Sequence, residues 1–200
     1  MYEYILYFLG LFNLGNIMLF STTNNQMIAA SNTRYLVQNN IKGAFGLSYY
    51  KNSTYAYASI EDYAETYWKD GKIVFMLANI STTHKNLLTN PYGSFVIAPD
   101  NCSITNYNNM SYDPLACPRV TFTGEFYQLV GAVNTTNPYF ISFYRKHPAA
   151  LNWISSNVHD FNLWSMNVHD IYYIGGYGNL HYIGHIPTDF YFKSEPIKIV

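Results

Sequence analysis

The sequence predicts a mainly β protein, a small closed barrel of about six or seven mostly antiparallel strands with short helices inserted singly. Three observations carry that reading. Short aromatic and β-branched runs recur along the chain, hairpin-length links join most of them, and the alternation of strand and helix that builds a doubly wound sheet is missing. The 200 residues suit one domain with a substantial core. Aromatic residues make up 18% of the chain and charged residues only 12%, a balance opposite to that of disordered chains. A formal net charge of −1 gives no basic field for sequence-independent nucleic-acid binding. With 22 Asn and 28 Ser and Thr, the wet surface is built from neutral polar groups and Tyr.

The chain opens with a separate object. Residues 5–20 (ILYFLGLFNLGNIMLF) are apolar apart from Asn13 and Asn16, too short for the roughly 20 residues that span a bilayer. The length fits the apolar region of a secretory signal, so residues 1–23 are expected to be cleaved and residues 26–192 to form the domain, with no stable membrane span left behind. No Lys or Arg precedes the run and Glu3 stands there instead, so an uncleaved anchor and a buried helix remain the alternatives.

Each later element has a local reason. Residues 26–38 place Ile28, Tyr35 and Leu36 near one helical face. Residues 42–50 and 54–60 read as strands, with Lys51, Asn52 and Ser53 as the hairpin turn. Asp70 and Gly71 open a short apolar strand over 73–78. Ser81, Thr82 and Thr83 offer caps for a helix that reaches Leu88 and must stop near Asn90, because Pro91 disfavours helical geometry before it. Residues 92–98 are strand again. Val120, Phe122, Phe126 and Val130 line one face of a long strand with a bulge at Gly124. Asn137 caps the next helix, Pro138 suits its first position, and Phe140, Ile141, Phe143 and Tyr144 supply its buried stripe. Arg145, Lys146 and His147 put positive charge at its C-terminus before Pro148. Strands over 161–168 and 171–174 follow; Gly175, Gly176 and Gly178 separate them from another over 180–183.

Chemical motifs are scarce. No GxSxG, GxxxxGK[ST] or GxGxxG occurs. His181 and His185 lie four apart but lack nearby carboxylate or thiol ligands, so no metal site is expected. His159–Asp160 and His169–Asp170 repeat a dipeptide, yet strand neighbours point to opposite faces and make poor catalytic dyads. No catalytic residue is assigned. Cys102 and Cys117, the only two cysteines, flank a polar, turn-prone segment. A disulfide closing it would strain nothing obvious and would contribute about 3 kcal/mol, whereas the spacing is wrong for zinc. N-x-S/T triplets occur at Asn52, Asn79, Asn101, Asn109 and Asn134, candidate N-glycosylation sites for an exported chain. The aromatic load exceeds what one small barrel can bury, so a symmetric homodimer is expected.

Four stretches resemble a known family. Residues 85–97 (KNLLTNPYGSFVI) are similar to the helix, Asn-Pro, strand signature of the pyridoxamine 5′-phosphate oxidase-like, FMN-binding split barrel. Cys102 with 113–124 (DPLACPRVTFTG), then 143–148 (FYRKHP) with Trp153, then 159–162 (HDFN) running to 172–178 (YYIGGYG) resemble the CREG family of secreted glycoproteins. The resemblance covers roughly residues 27 to 190. It implies a split β-barrel, a signal peptide, a Cys102–Cys117 disulfide, N-glycans and a homodimer. Superfamily oxidases hold the FMN phosphate with basic side chains at the helix after the third strand, and their Arg-Lys pair would fall near Thr82 and Thr83. The resemblance therefore implies a vestigial phosphate site of Ser81, Thr83, His84, Lys85 and Arg119, with no cofactor expected and FMN the one alternative. The function so implied is that of a non-catalytic glycoprotein, secreted or in the lumen of the secretory or vacuolar pathway, acting through a surface protein or glycan-recognising partner. The alternative is an FMN-dependent oxidoreductase of the pyridoxamine 5′-phosphate oxidase-like type.

Overall fold

A computed structural model describes residues 23–99, 116–156, 158–177 and 181–197. In chain order the elements are helix α1 (23–39), β1 (Lys42–Tyr49), β2 (Asn52–Glu65), β3 (Ile73–Ala78), α2 (Thr82–Thr89), β4 (Tyr92–Ile97), β5 (Arg119–Gln128), α3 (Pro138–Lys146), α4 (Ala150–Ser155), β6 (Phe161–Ile174), β7 (Ile183–His185) and α5 (Thr188–Lys193). The expected signal segment, Cys102, Asn101 and Asn109 lie outside the described residues.

All pairings are antiparallel, in the order β3-β2-β1-β4-β5-β6-β7, and a β3–β6 pairing closes the first six strands into a barrel. The long β6 gives its first half to β3 and its last residues to β7, along the edge opposite β5. Cross-strand partners share a face, so the register sorts the wall into rows. Ser59, Phe45, Phe95, Phe122 and Ile171 form an inward row. Phe45, Phe75, Phe95 and Phe126 meet in the interior with ring centroids 4.8–5.8 Å apart, the tilted and edge-on geometry aromatic quadrupoles prefer.

β3 (IVFMLA) is apolar at every position because both of its faces are covered. Ile73, Phe75 and Leu77 enter the barrel, while Val74 and Met76 lie with Ala64 and Leu163 beneath Phe140, Phe143 and Leu129. The α3 cap is as expected: Asn137 Oδ1 accepts from the N–H groups of Tyr139 at 2.9 Å and Phe140 at 3.4 Å, with Pro138 at the first turn.

Several expectations need correction. The first helix buries Ala29, Ala30, Thr33, Arg34, Leu36 and Val37, not Ile28, which is exposed. Arg34 draws that face inward, because it pairs with Glu65 and donates to the carbonyls of Lys69 and Ser194. The hairpin turn falls on Tyr50 and Lys51, and Asn52 already belongs to β2. Val130 is 94% exposed beyond the end of β5. The two strands expected over 161–174 are one, bent by a bulge: Thr123 pairs with Asp170 and Gly124 with Val168, leaving His169 as the extra residue. A Cβ on Gly124 would lie 2.0 Å from the Asn167 carbonyl, so the bulge site needs glycine. The strand near residue 183 runs over Ile183–His185. Helix α4 and the C-terminal α5 have no counterpart in the sequence reading.

Candidate functional site around helix α2

Helix α2 follows β3 directly and packs its Leu87 into the barrel interior, against β1 and β3. Ser81 Oγ accepts from the His84 N–H at 3.1 Å, the capping role its position suggests. That bond occupies a donor that would otherwise face an anion at the helix start.

Of the other candidate side chains Thr83 is committed to the protein itself, whereas the buried His84 Nδ1 and the Nε1 of neighbouring Trp164 have no hydrogen-bond partner. The Thr83 hydroxyl is buried, 2.8 Å from Ser59 Oγ and hydrogen-bonded to the Glu61 carboxylate. Burial pushes the Glu61 carboxyl above the usual carboxylate range, although the Thr83 and Ser59 hydroxyls pull the other way. His84 is buried with its ring edge-on to Trp164, centroids 5.6 Å apart. Burial, with a smaller contribution from the Lys85 charge, holds the His84 imidazole below its ordinary pKa and favours the neutral form. Lys85 is half-buried and stands beside these groups as the one cation of the segment from Ser81 to Asn90.

Arg119 is elsewhere. It begins β5 opposite Ile174, with its guanidinium 3.4 Å from the Cys117 carbonyl. It alternates with the inward Val120, so it stands on the outer side of the wall while Thr83 meets the inward Ser59. Within one chain the fold brings Ser81, Thr83, His84 and Lys85 together and leaves Arg119 apart.

Ser59 and Glu61 were missed by sequence reading. Period-two alternation places 57, 59, 61 and 63 on one face of β2, so an acidic inward residue was legible there; its partner Thr83 was not. A second missed pair is His185 with Asp170, Nδ1 to Oδ1 at 2.8 Å between β7 and β6, both exposed. His185 thus has a carboxylate beside it, contrary to the expectation from the sequence, because Asp170 reaches it across strands. Among the described residues, no group of three or more His, Cys, Asp or Glu is placed to hold a metal, and no helix is long and apolar enough to cross a membrane. Cys117 is buried, whereas its expected pairing with Cys102 falls outside the described residues.

The residues around α2 do not fit an FMN phosphate. A phosphate dianion calls for converging cationic donors, most often Arg. Here it would meet one Lys, a His whose charged form burial disfavours, and a nearby carboxylate. The family model for the CREG β-barrel matches residues 24–193. The chain belongs to the CREG family. None of the curated proteins matches this sequence. Among solved structures, this CREG chain is similar to a heme-binding protein from Mycobacterium smegmatis, with a TM-score of 0.66 and 22% identity over 84% of this chain and 61% of the other. It is also similar to a protein of unknown function from Agrobacterium tumefaciens (TM-score 0.58, 18% identity, 76% of this chain and 56% of that one). A third likeness is to ChuZ from Campylobacter jejuni (TM-score 0.56, 14% identity, 84% and 64%). The chain thus spans about three fifths of the mycobacterial protein's length, and at these identities the likenesses establish the shared barrel architecture.

Proposed function

We propose that this CREG-family chain is a non-catalytic glycoprotein of the secretory pathway that uses the split barrel as a scaffold for partner binding. The observation that supports the reading is the shortage of anion-binding groups at α2: Lys85 is the one Lys or Arg between Ser81 and Asn90, and the Thr83 hydroxyl is spent on Ser59 and Glu61. Isothermal titration with FMN tests the proposal. Millimolar or weaker binding is expected; submicromolar binding that Lys85→Ala abolishes would overturn it in favour of the flavin oxidoreductase.

A homodimer belongs to the same reading. Ile60, Ala44, Val96, Thr121, Tyr172 and His185 form an outward row across six strands, built mostly of small or neutral side chains and covered by no helix among the described residues. Such a face suits close sheet packing against a second copy.

Glycans belong to it as well. In two described triplets the acceptor Asn is exposed and its Oδ1 accepts from the Thr two residues on: Asn52 from Thr54 (N–H 3.1 Å, hydroxyl 2.7 Å) and Asn134 from Thr136 (N–H 3.0 Å, hydroxyl 2.7 Å). Asn79 differs, because its Oδ1 accepts from Asn162 and the hydroxyl of its Ser81 caps α2.

A further inference from the structure

At the β2–β3 turn, the length of β3 (about 20 Å) away from α2, aromatic rings stand exposed beside cations. Tyr67 and Trp68 are 45% and 47% exposed. Their ring centroids lie 4.3 Å apart at an interplanar angle of 33°. Tyr139 of α3 meets Trp68 edge-on at 5.5 Å, and the Arg145 guanidinium lies 5.6 Å from the Tyr67 centroid.

The turn that carries them is held from several directions. Thr66 N–H donates to the Lys72 carbonyl at 3.0 Å and Lys69 N–H to the Thr66 carbonyl at 2.9 Å. Thr66 Oγ1 bonds the Asp70 carboxylate, Arg34 donates to the Lys69 carbonyl, and Tyr67 N–H donates to Ser142 Oγ of α3 at 2.9 Å. Lys69 adopts φ +56°, a conformation that a non-glycine residue keeps when its surroundings enforce it. Exposed rings on a fixed turn lose little freedom on binding, which is what a preorganised ligand platform requires.

Charge narrows the ligand. Arg145 lies over Tyr67 and Lys69 follows Trp68 in the turn, two exposed cations in a chain with only 11 Lys and Arg. The nearby acids are spent internally, Glu65 on buried Arg34 and Asp70 on Thr66 and Lys72. The outward surface therefore joins flat aromatic faces to uncompensated positive charge. Size narrows it further. An ordinary protein interface buries about 800 Å² per partner, and one large aromatic ring supplies about 150–250 Å². Two exposed rings cover an area nearer that of a disaccharide than that of a protein.

We infer that the Tyr67–Trp68–Arg145 surface is a binding site for an acidic saccharide. A pyranose presents its C–H face to the Trp68 and Tyr67 rings, and its carboxylate or sulfate meets Arg145 and Lys69. This assignment rests on the reading of the chain as a partner-binding protein and names the chemical class of one partner.

Trp68 provides its own readout, because the other two Trp are buried (Trp164) or half-buried (Trp153). Acrylamide quenching of the full-length glycoprotein is measured during titration with tetragalacturonate, maltotetraose, tetraglutamate and a thymidine tetranucleotide. Tetragalacturonate is expected to shield Trp68, and the other three to do so at least tenfold less effectively. Trp68→Ala and, independently, the surface change Arg145→Gln are expected to weaken tetragalacturonate binding at least tenfold by calorimetry, with an unchanged melting temperature for Arg145→Gln. Equal protection by tetraglutamate or the nucleotide, undiminished binding by Arg145→Gln, or no response to tetragalacturonate would each overturn the site. Bound flavin is read separately from its visible absorbance, so a colourless protein that ignores the saccharide sinks this site and leaves the non-redox reading standing.

Discussion

The barrel wall has two flanks made from the same sheet, and they solve the problem of their outer face differently. On the β3 flank, Ala64, Val74, Met76 and Leu163 point outward into a second apolar cluster roofed by Phe140 and Phe143 of α3, with Leu129 and Ala150. At the centre of the β1–β4–β5 flank, the outward positions are Ala44, Gly46, Ser94, Val96, Thr121 and Thr123. None of those is a large apolar residue; at the margins Ile60 of β2, 71% exposed, and Tyr92 of β4, 56% exposed, break the pattern. The first flank is completed by the chain itself, whereas the second leaves its outer face uncovered among the described residues. A wall roofed by its own helix can carry large apolar residues at consecutive positions. A wall left open has to alternate, and its small outward side chains leave room for another sheet to approach.

Cutting into the roof is the most damaging test. Phe143 is fully buried in the second cluster and stacks on His147 with centroids 4.5 Å apart. Phe143→Ala is expected to destabilise the protein by about 3–5 kcal/mol, read from urea denaturation. A loss below about 1 kcal/mol would mean that α3 is not holding the β3 flank.

The end of the same helix sharpens the contrast through pH. Lys146 donates to the Val37 carbonyl at 3.0 Å and lies 4.6 Å from the Tyr63 ring centroid. Burial pushes its ammonium pKa down to about 8, against a partial upward pull from Glu65. The unfolded chain keeps that proton to about pH 10.4, so between these values the unfolded state binds more protons and stability rises with pH. Its contribution grows by up to about 2 kcal/mol across that window. Lys146→Met is expected to remove this slope, seen by comparing unfolding free energies of the two proteins at pH 7.5 and 10. Parallel curves for both would show that the ammonium is solvated.

The open flank should respond in assembly rather than in folding. Thr121→Arg, placed between Val96 and Tyr172 in the outward row, is expected to change protomer stability by no more than about 0.5 kcal/mol. It should nevertheless bring two like charges together across a two-fold axis. Sedimentation equilibrium is expected to give a dimer mass for the parent and a monomer mass for the variant. A monomeric parent at micromolar concentration removes the proposed role of this flank. The smallest effect concerns the glycans. Glycosidase treatment followed by peptide mass spectrometry is expected to find modified Asn52 and Asn134 and unmodified Asn79, with little change in melting temperature.

The elements that local chemistry dictates were legible. Asn137 and Pro138 announced the start of α3, Pro91 the end of α2, and Gly124 the bulge. Relations across space were not. The bulge at Gly124 falls opposite His169, so a single bent β6 read as two strands. Residues 26–38 looked like an ordinary amphipathic helix because Arg34 carries a charge; only its pairing with Glu65 and the approach of α5 turn that residue inward. Gly71, at φ +84°, marks that approach. The Tyr191 hydroxyl donates to its carbonyl at 2.6 Å, and a Cβ there would lie 3.0 Å from the Tyr191 ring. At α2 the sequence identified the cap and the lone Lys85, while the inward turn of Thr83 and His84 depends on Ser59, Glu61 and Trp164, which are distant along the chain.

Of all these features, the cation-poor α2 site bears most directly on function. The most direct test is the visible absorption spectrum of the protein purified from a secreting host, before and after incubation with excess FMN and removal of unbound ligand. No visible band is expected in either sample. A flavin or heme band that survives the removal step, and that Lys85→Ala or His84→Ala abolishes, would contradict the non-catalytic reading.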